Sequence, residues 1–181
     1  GVPFDLATTN RSGTRLGPRG IRTASASLAW ENQVQGWDFS PLEELAIVDY
    51  GDCPFDAGTP EKVPEQIYQQ ARDILATDTA LLSMGGDHFV SYPLLRAHAE
   101  KYGPLALIHF DAHSDTWEDD GERIDHGTMF YHATKQGLVV PEHSAQIGLR
   151  TYNESTMGFN IFDGPTVHEQ GAAAIAQQVK S

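Results

Sequence analysis

Short apolar runs alternate with amphipathic stretches along this chain, and that order constrains the fold more than any other feature. The runs with strand character are Ala46–Tyr50, Ala80–Met84, Leu105–Phe110, Ala145–Leu149 and, more weakly, Phe159–Phe162. Residues 61–75 and Phe89–Tyr102 lie between them and have helical patterns. Strands that alternate with helices of this length predict right-handed crossovers and a mostly parallel sheet, so the predicted fold class is α/β.

The two ends of the sequence carry incomplete patterns. Gly1–Asp5 has the look of a strand end running into a loop, and His168–Ser181 is typical of an amphipathic helix. In an α/β protein such a helix is followed by another strand, so we expect this sequence to be part of a longer polypeptide. We find no repeat and no shift in composition, and we interpret residues 1–181 as one partial domain.

Composition narrows the functional classes. The net charge of -13 argues against nucleic acid and anionic membrane as partners and favours a cationic ligand. No apolar run approaches the roughly 20 residues that a membrane helix needs. The single cysteine, Cys53, excludes an internal disulfide and fits a reducing cytoplasm.

Ionisable residues follow two of the predicted strands. The second run leads into G-G-D-H, Gly85–His88, and the third leads into D-A-H-S-D, in which Asp111, His113 and Asp115 alternate. In an extended backbone this spacing places all three on one side. Because the carboxyl ends of parallel strands meet at one edge of a sheet, we expect His88 to lie close to them.

Two histidines and two carboxylates that converge in this way predict a metal site. The alternative is a polar strand-to-loop junction, since Asp and Ser are common in turns. Carboxylate-rich sites with some imidazole suit Mn²⁺, although Zn²⁺ and Fe²⁺ stay open on this reasoning. A site with several carboxylates can also hold two ions, and Asp87 is a candidate hydrogen-bond acceptor behind His88.

Four other features of the sequence bear on the predicted site. His109 lies deeper in its strand, and we interpret it as a packed, hydrogen-bonded core histidine. His126, next to Gly127, is either a proton shuttle or an ordinary loop histidine. The acidic run Trp117–Glu122 is either a solvated loop or a rim that attracts a cationic substrate. The arginines of residues 11–22 are a weaker candidate for an anion site.

These motifs together resemble the ureohydrolases, the arginase and agmatinase family of dinuclear manganese hydrolases. G-G-D-H, D-A-H-S-D and the N-terminal G-x-x-x-G-P-x-x-I-R at Gly13–Arg22 match the family's pattern in order. The runs G-G-D-H-F-V-S-Y-P-L-L-R-A-H-A and D-H-G-T-M-F-Y are more similar to the bacterial agmatinase branch than to the arginases.

The resemblance implies roles for individual residues. His88 and Asp115 would hold one Mn²⁺, His113 would hold the second, and Asp111 would bridge the two. Hydroxide between the ions would attack the guanidinium carbon of agmatine and release urea and putrescine, with His126 assisting proton transfer to the leaving amine. The implied fold is a three-layer α/β/α sandwich, usually in a homo-trimer or hexamer.

The sequence departs from the family pattern in one respect. The third metal motif, D-I-D-x-x-D-P, and a later glutamate that helps to hold the guanidinium do not occur in these residues, so four of the family's six usual metal ligands are present. Two alternatives therefore stand beside agmatine hydrolysis. One is hydrolysis of another guanidino compound such as guanidinobutyrate, and the other is a non-catalytic truncated homologue that acts as a partner chain.

Overall fold

The computed structural model describes residues 1–30, 35–119, 123 and 125–180, and its sheet is parallel. Strands β1 (Ile108–Phe110), β2 (Ala145–Leu149) and β3 (Asn160–Asp163) pair in that order. Within the described residues the α-helices are α1 (Gly17–Ala24), α2 (Pro41–Glu44), α3 (Val63–Leu75), α4 (Ser91–Tyr102), α5 (Met129–Lys135), α6 (Gly164–Gln170) and α7 (Ala172–Lys180). No helix among them is both long enough and apolar enough to cross a bilayer.

Helices cover both faces of β2, which gives the three layers predicted from the sequence. Ala145 and Ile147 point to one face and pack against Ile175 of α7. Gln146 points to the other face, where its partner in β1, His109, contacts the ring of Phe130 in α5. Because successive side chains of a strand alternate between faces, β2 is buried on both sides, as the central strand of a parallel layer requires. The α/β sandwich is therefore confirmed.

The helix predicted over residues 61–75 is confirmed as α3. Its buried side chains, Val63, Ile67, Ala71 and Leu75, recur every four residues and form one face. Ala71 and Leu75 pack against Ala97 of α4. The second predicted helix is also present, but its first residues form a separate 3₁₀ turn, His88–Val90, ahead of α4.

Two predicted strands are absent. Ala46–Tyr50 and Ala80–Met84 form no ladder within the described part of the chain, and their apolar side chains are largely exposed, with Val48 at 82% and Leu82 at 90%. Strand propensity reflects packing against neighbours, and neither run has a neighbour on both sides here. A single bridge between Val2 and Gly85 is the only pairing at the end of the second run in these residues.

The helix predicted over His168–Ser181 is wrong in its boundaries. The chain instead forms two helices, α6 and α7, separated at Gly171. Gly171 has a φ of 79°, which is not a helical value and which glycine adopts readily, so α6 ends before it. On the apolar side of α7, Ile175 is buried and Val179 packs beside it. Ser181 lies outside the described residues.

The N-terminal segment packs against the G-G-D-H turn. The N–H of Val2 donates to the Met84 carbonyl at 2.8 Å, and the N–H of Asp87 donates to the Phe4 carbonyl at 2.8 Å. A Cβ on Gly86 would lie 2.5 Å from the carbonyl oxygens of Val2 and Phe4, so the close approach requires glycine. This packing fixes the backbone that carries His88.

Candidate metal centre

The two predicted strand ends meet at His88. Its Nδ1 lies 2.7 Å from Oδ2 of Asp115 and 3.1 Å from Oδ2 of Asp111. His88 begins the 3₁₀ turn after the paired glycines, whereas both aspartates follow β1. The sequence expectation that these two segments converge is therefore confirmed.

The two oxygens of Asp111 face different histidines. Oδ2 faces His88, whereas Oδ1 lies 3.2 Å from Nδ1 of His113 and accepts the backbone N–H of His113 at 2.9 Å. The His113 side chain is 54% exposed, compared with 31% for His88. His113 therefore lies at the outer side of the Asp111 carboxylate and His88 at its inner side.

The expected alternation of Asp111, His113 and Asp115 along one strand is wrong. β1 ends at Phe110, and the chain then turns, with Asp115 at a φ of 51°. Short polar residues tolerate this conformation better than β-branched or bulky ones. The turn carries the Asp115 carboxylate back to His88, so convergence arises from a loop and not from strand parity.

Four donor atoms cluster most tightly, and they come from His88, His109, Asp111 and Asp115. All lie within 4.8 Å of one another. His109 is buried, as predicted, but its Nε2 makes no hydrogen bond within the described residues. This atom lies 3.3 Å from Oδ2 of Asp111, close enough for attraction but not aligned for a hydrogen bond.

Electrostatics favour ionised carboxylate and neutral imidazole here. Burial raises the pKa of Asp111. The His113 backbone N–H and the nearby His88 and His109 rings together lower this pKa by a larger amount, so the net shift is downward. Burial and the neighbouring His88 lower the pKa of His109 against the opposing effect of the carboxylates. An ionised carboxylate is the form that binds a metal ion, so Asp111 fits a cation.

Asp87 does not accept from His88, contrary to expectation. Its carboxylate accepts the N–H groups of Ala7 and Phe89, each at 2.9 Å. The first bond fastens the N-terminal segment, and the second caps the turn that carries His88. Burial raises the pKa of Asp87 even though both hydrogen bonds oppose the shift.

His126 contacts the N-terminal loop and is not part of the four-residue cluster. Its Nε2 lies 2.6 Å from Oγ1 of Thr9 and accepts the Thr9 backbone N–H at 3.2 Å. Because a backbone N–H can only donate, Nε2 carries the lone pair and Nδ1 carries the proton. Thr9 therefore fixes the tautomer of His126.

The first part of the acidic run contacts α5. Glu118 accepts from the Tyr131 hydroxyl at 3.2 Å, and Asp119 lies 3.3 Å from Nε2 of His132. Residues 120–122 lie outside the described residues, so the substrate-attracting rim stays a prediction.

The N-terminal arginines with resolved partners form ion pairs. Arg22 lies 2.7 Å from Asp49 and 2.6 Å from Asp52, and Arg15 lies 3.2 Å from Asp5. These carboxylates compete with any anion for the guanidinium groups. The anion-site alternative therefore gains no support from Arg15 or Arg22.

Sequence reasoning missed a buried polar network beneath the D-A-H-S-D loop. Gln146, fully buried, donates to the Ser114 carbonyl at 2.6 Å, and Asn153 donates to Oγ of Ser114 at 2.8 Å. Thr116 donates to the Ser155 carbonyl at 2.6 Å. One signal was available: Gln146 is the only polar side chain in the otherwise apolar strand A-Q-I-G-L.

Comparison with known proteins defines the class. Residues 1–181 match the sequence profile of the arginase family. That match covers the whole sequence, including both ionisable motifs. The chain therefore belongs to the arginase family.

Within this family the chain is similar to agmatinases. It is 53% identical to agmatinase from Chromobacterium violaceum and 46% identical to agmatinase from Proteus mirabilis, and 99% of the chain is covered in both cases. The crystal structure of a hypothetical agmatinase from Burkholderia thailandensis superposes with a TM-score of 0.96 at 53% identity, over 99% of this chain and 56% of that one. The chain spans 56% and 58% of the two curated relatives.

Proposed function

We propose that the complete protein is a dinuclear manganese amidinohydrolase that hydrolyses agmatine to putrescine and urea. Family membership supports the reaction class. Similarity to agmatinases at 46–53% identity supports the substrate. The substrate would be a small guanidino cation, which the net charge of -13 would attract.

The observation that carries the proposal is the placement of Asp111 between two histidines. One carboxylate with an imidazole at each oxygen is the arrangement that a bridging ligand needs. We infer that His88, Asp111 and Asp115 would hold one Mn²⁺ and that Asp111 and His113 would contribute to the second. Oxygen donors with some imidazole suit Mn²⁺.

When bound, the two ions would supply Lewis acidity and a hydroxide nucleophile at neutral pH. In this reaction the bond between the guanidinium carbon and the alkyl amine would break, and the leaving amine would need a proton. We assign this proton transfer to His126, whose Nδ1–H tautomer is fixed by Thr9. Overall, one agmatine and one water would give one putrescine and one urea.

Two further proposals concern the assembly and its location. The family resemblance supports a homo-trimer or hexamer. A lone cysteine, Cys53, that is buried and unpaired supports a cytoplasmic location.

Urea release by the full-length polypeptide, loaded with Mn²⁺, tests the function. We expect urea and putrescine from agmatine, and much less urea from arginine or guanidinobutyrate. Asp111→Ala should abolish release, whereas Asp73→Ala, on the exposed side of α3, should not. Equal or faster urea release from guanidinobutyrate would overturn the assignment of agmatine as the substrate. If the manganese-loaded protein releases no urea from agmatine, arginine or guanidinobutyrate, the alternative of a non-catalytic partner chain is favoured.

A further inference from the structure

Two cross-strand partners, His109 of β1 and Gln146 of β2, lie directly behind the candidate metal centre. Both are buried, with exposed fractions of 5% and 0%. Nε2 of Gln146 lies 3.3 Å from Nδ1 of His109, and Nε2 of His109 lies 3.3 Å from Oδ2 of Asp111. The three side chains form a continuous line from the middle of the sheet to the carboxylate.

The orientation of the Gln146 amide follows from its second contact. Its Nε2 lies 2.6 Å from the carbonyl oxygen of Ser114, and a carbonyl can only accept. If the Gln146 amide were turned by 180°, its oxygen would face the Ser114 carbonyl oxygen, and neither oxygen would have a hydrogen-bond donor. The nitrogen therefore faces Ser114, and its second N–H is the one that faces His109.

The tautomer of His109 follows in turn. Because the group opposite Nδ1 is a donor, Nδ1 must carry the lone pair, and the neutral ring then carries its proton on Nε2. A protonated Nε2 cannot ligate a metal. His109 is therefore excluded from the ligands, although its nitrogen lies within the four-residue cluster.

We propose that His109 is a positioning residue for Asp111: Gln146 holds its ring as the Nε2–H tautomer, and this nitrogen lies 3.3 Å from the carboxylate oxygen that faces His88. The orphaned Nε2 supports this role, because a buried donor without a partner is costly and a modest rotation of the Asp111 carboxylate would satisfy it. Ring packing restricts the histidine, since Phe130 contacts both His109 and His88 edge to face.

The Gln146 amide would thereby act both on Asp111 and on the segment between His113 and Asp115. Gln146 reaches Asp111 through His109, and it holds the backbone between His113 and Asp115 through the Ser114 carbonyl. Partners of this kind, one step removed from the ion, typically change metal affinity or activity by about 10–100-fold.

Four variants of the full-length protein test the proposal, with Mn²⁺ affinity measured by calorimetry beside kcat. His109→Leu and Gln146→Leu should each weaken Mn²⁺ binding by about 10–100-fold. His109→Gln keeps an N–H donor near the position of Nε2 and should restore most of the affinity. The matched control is His98→Leu, on α4, where the ring contacts the Leu94 carbonyl and the Tyr102 ring and is not part of the cluster of donor atoms. It should bind Mn²⁺ as the wild type does.

The position of the proton on the His109 ring can be measured directly in the wild-type protein, so folding defects in the variants do not affect this test. A neutron crystal structure of the metal-free protein should show a deuteron on Nε2 of His109 and none on Nδ1. A deuteron on Nδ1, unchanged Mn²⁺ affinity in His109→Leu, or no recovery in His109→Gln would each overturn the proposal.

The effect on binding and turnover rests on the function proposed above, but the two fail differently. If wild-type protein binds Mn²⁺ and releases no urea, the proposed function fails while the affinity series and the proton position still decide the role of His109. If the wild type releases urea and His109→Leu matches it in affinity and kcat, only the positioning role fails.

Discussion

Nδ1 of His88 lies 2.7 Å from Oδ2 of Asp115, although the two residues follow different strand-like segments. The contact joins the G-G-D-H turn to the loop after β1. Two ionisable groups that are held this closely in a half-buried site need a shared proton or a shared cation. The neighbouring Asp111, with its own oxygens facing His88 and His113, favours the cation.

Asp111→Asn tests the bridging role with little change of shape. An amide keeps one oxygen but loses the charge and one acceptor, so we expect loss of the second Mn²⁺. The fall in kcat should exceed the roughly 10–100-fold that an outer partner costs. Metal analysis and urea release measure the two effects. Two bound Mn²⁺ with near-normal turnover would exclude bridging by Asp111, and Asp73→Asn on the exposed face of α3 is the control.

His126→Ala should lower kcat and leave the manganese content unchanged. A positioned general acid typically contributes about 10²–10⁴-fold, and His126 does not belong to the cluster of donor atoms. Metal analysis beside steady-state kinetics separates the two properties. Loss of Mn²⁺ from this variant would identify His126 as a ligand instead.

Thr9→Val should reduce kcat less than His126→Ala. The substitution removes the hydroxyl 2.6 Å from Nε2 of His126 but keeps the backbone N–H that fixes the tautomer. Thr9→Ser retains the hydroxyl and is the matched control, with kcat close to that of the wild type. Equal kcat in Thr9→Val and Thr9→Ser would show that the hydroxyl does not orient the histidine.

Gly86→Ala should destabilise the protein by about 1–3 kcal/mol, the usual cost of strained backbone and steric conflict. Its φ is 72°, and an added Cβ would meet two backbone carbonyls at 2.5 Å. Gly20→Ala, inside α1, places the added Cβ more than 4 Å from every described atom outside the adjoining helix backbone and neighbouring residues, and should be neutral or slightly stabilising. Denaturant unfolding of both variants measures the difference. A stable Gly86→Ala would mean that the N-terminal segment can move away from the turn.

Arg22→Met should make unfolding less sensitive to acid. Hydrogen bonding to Arg22 lowers the pKa of Asp49 from 3.8 to about 2. A carboxylate with a depressed folded-state pKa contributes stability that is fully present above pH 4 and is lost as the pH falls through about 2. The free energy of unfolding should therefore be lower in Arg22→Met at neutral pH, and the difference from wild type should shrink between pH 4 and 2. A difference that is constant across this range would assign the effect to packing alone.

The apolar runs predicted strands correctly where a neighbouring strand pairs with them in the structure. Ala145–Leu149 was predicted as a strand and forms one, because β1 and β3 pair with it on both sides. The equally apolar Ala46–Tyr50 forms none, since propensity becomes a strand only with a neighbour. The apolar stripe over His168–Ser181 could not show that Gly171 would divide the helix.

The candidate site was predictable in its residue types but not in its detailed geometry. The rule that parallel strands end at one edge predicted the convergence of His88 with Asp111 and Asp115, although Ala80–Met84 forms no ladder in the described part of the chain. The turn at Asp115 and the outward placement of His113 depend on loop conformation, which residue spacing does not encode. The role of Gln146 was hidden because a lone polar residue in a strand does not identify its partner.

The sharing of Asp111 between His88 and His113 has a thermodynamic consequence. If Asp111 bridges two ions as proposed, an ion at one oxygen would order the carboxylate and alter its charge, and would therefore change the affinity for an ion at the other oxygen. Linkage requires that the two ions influence each other by the same factor, whichever enters first. The two positions would then not bind ions independently, and a titration with Mn²⁺ would depart from two independent binding steps.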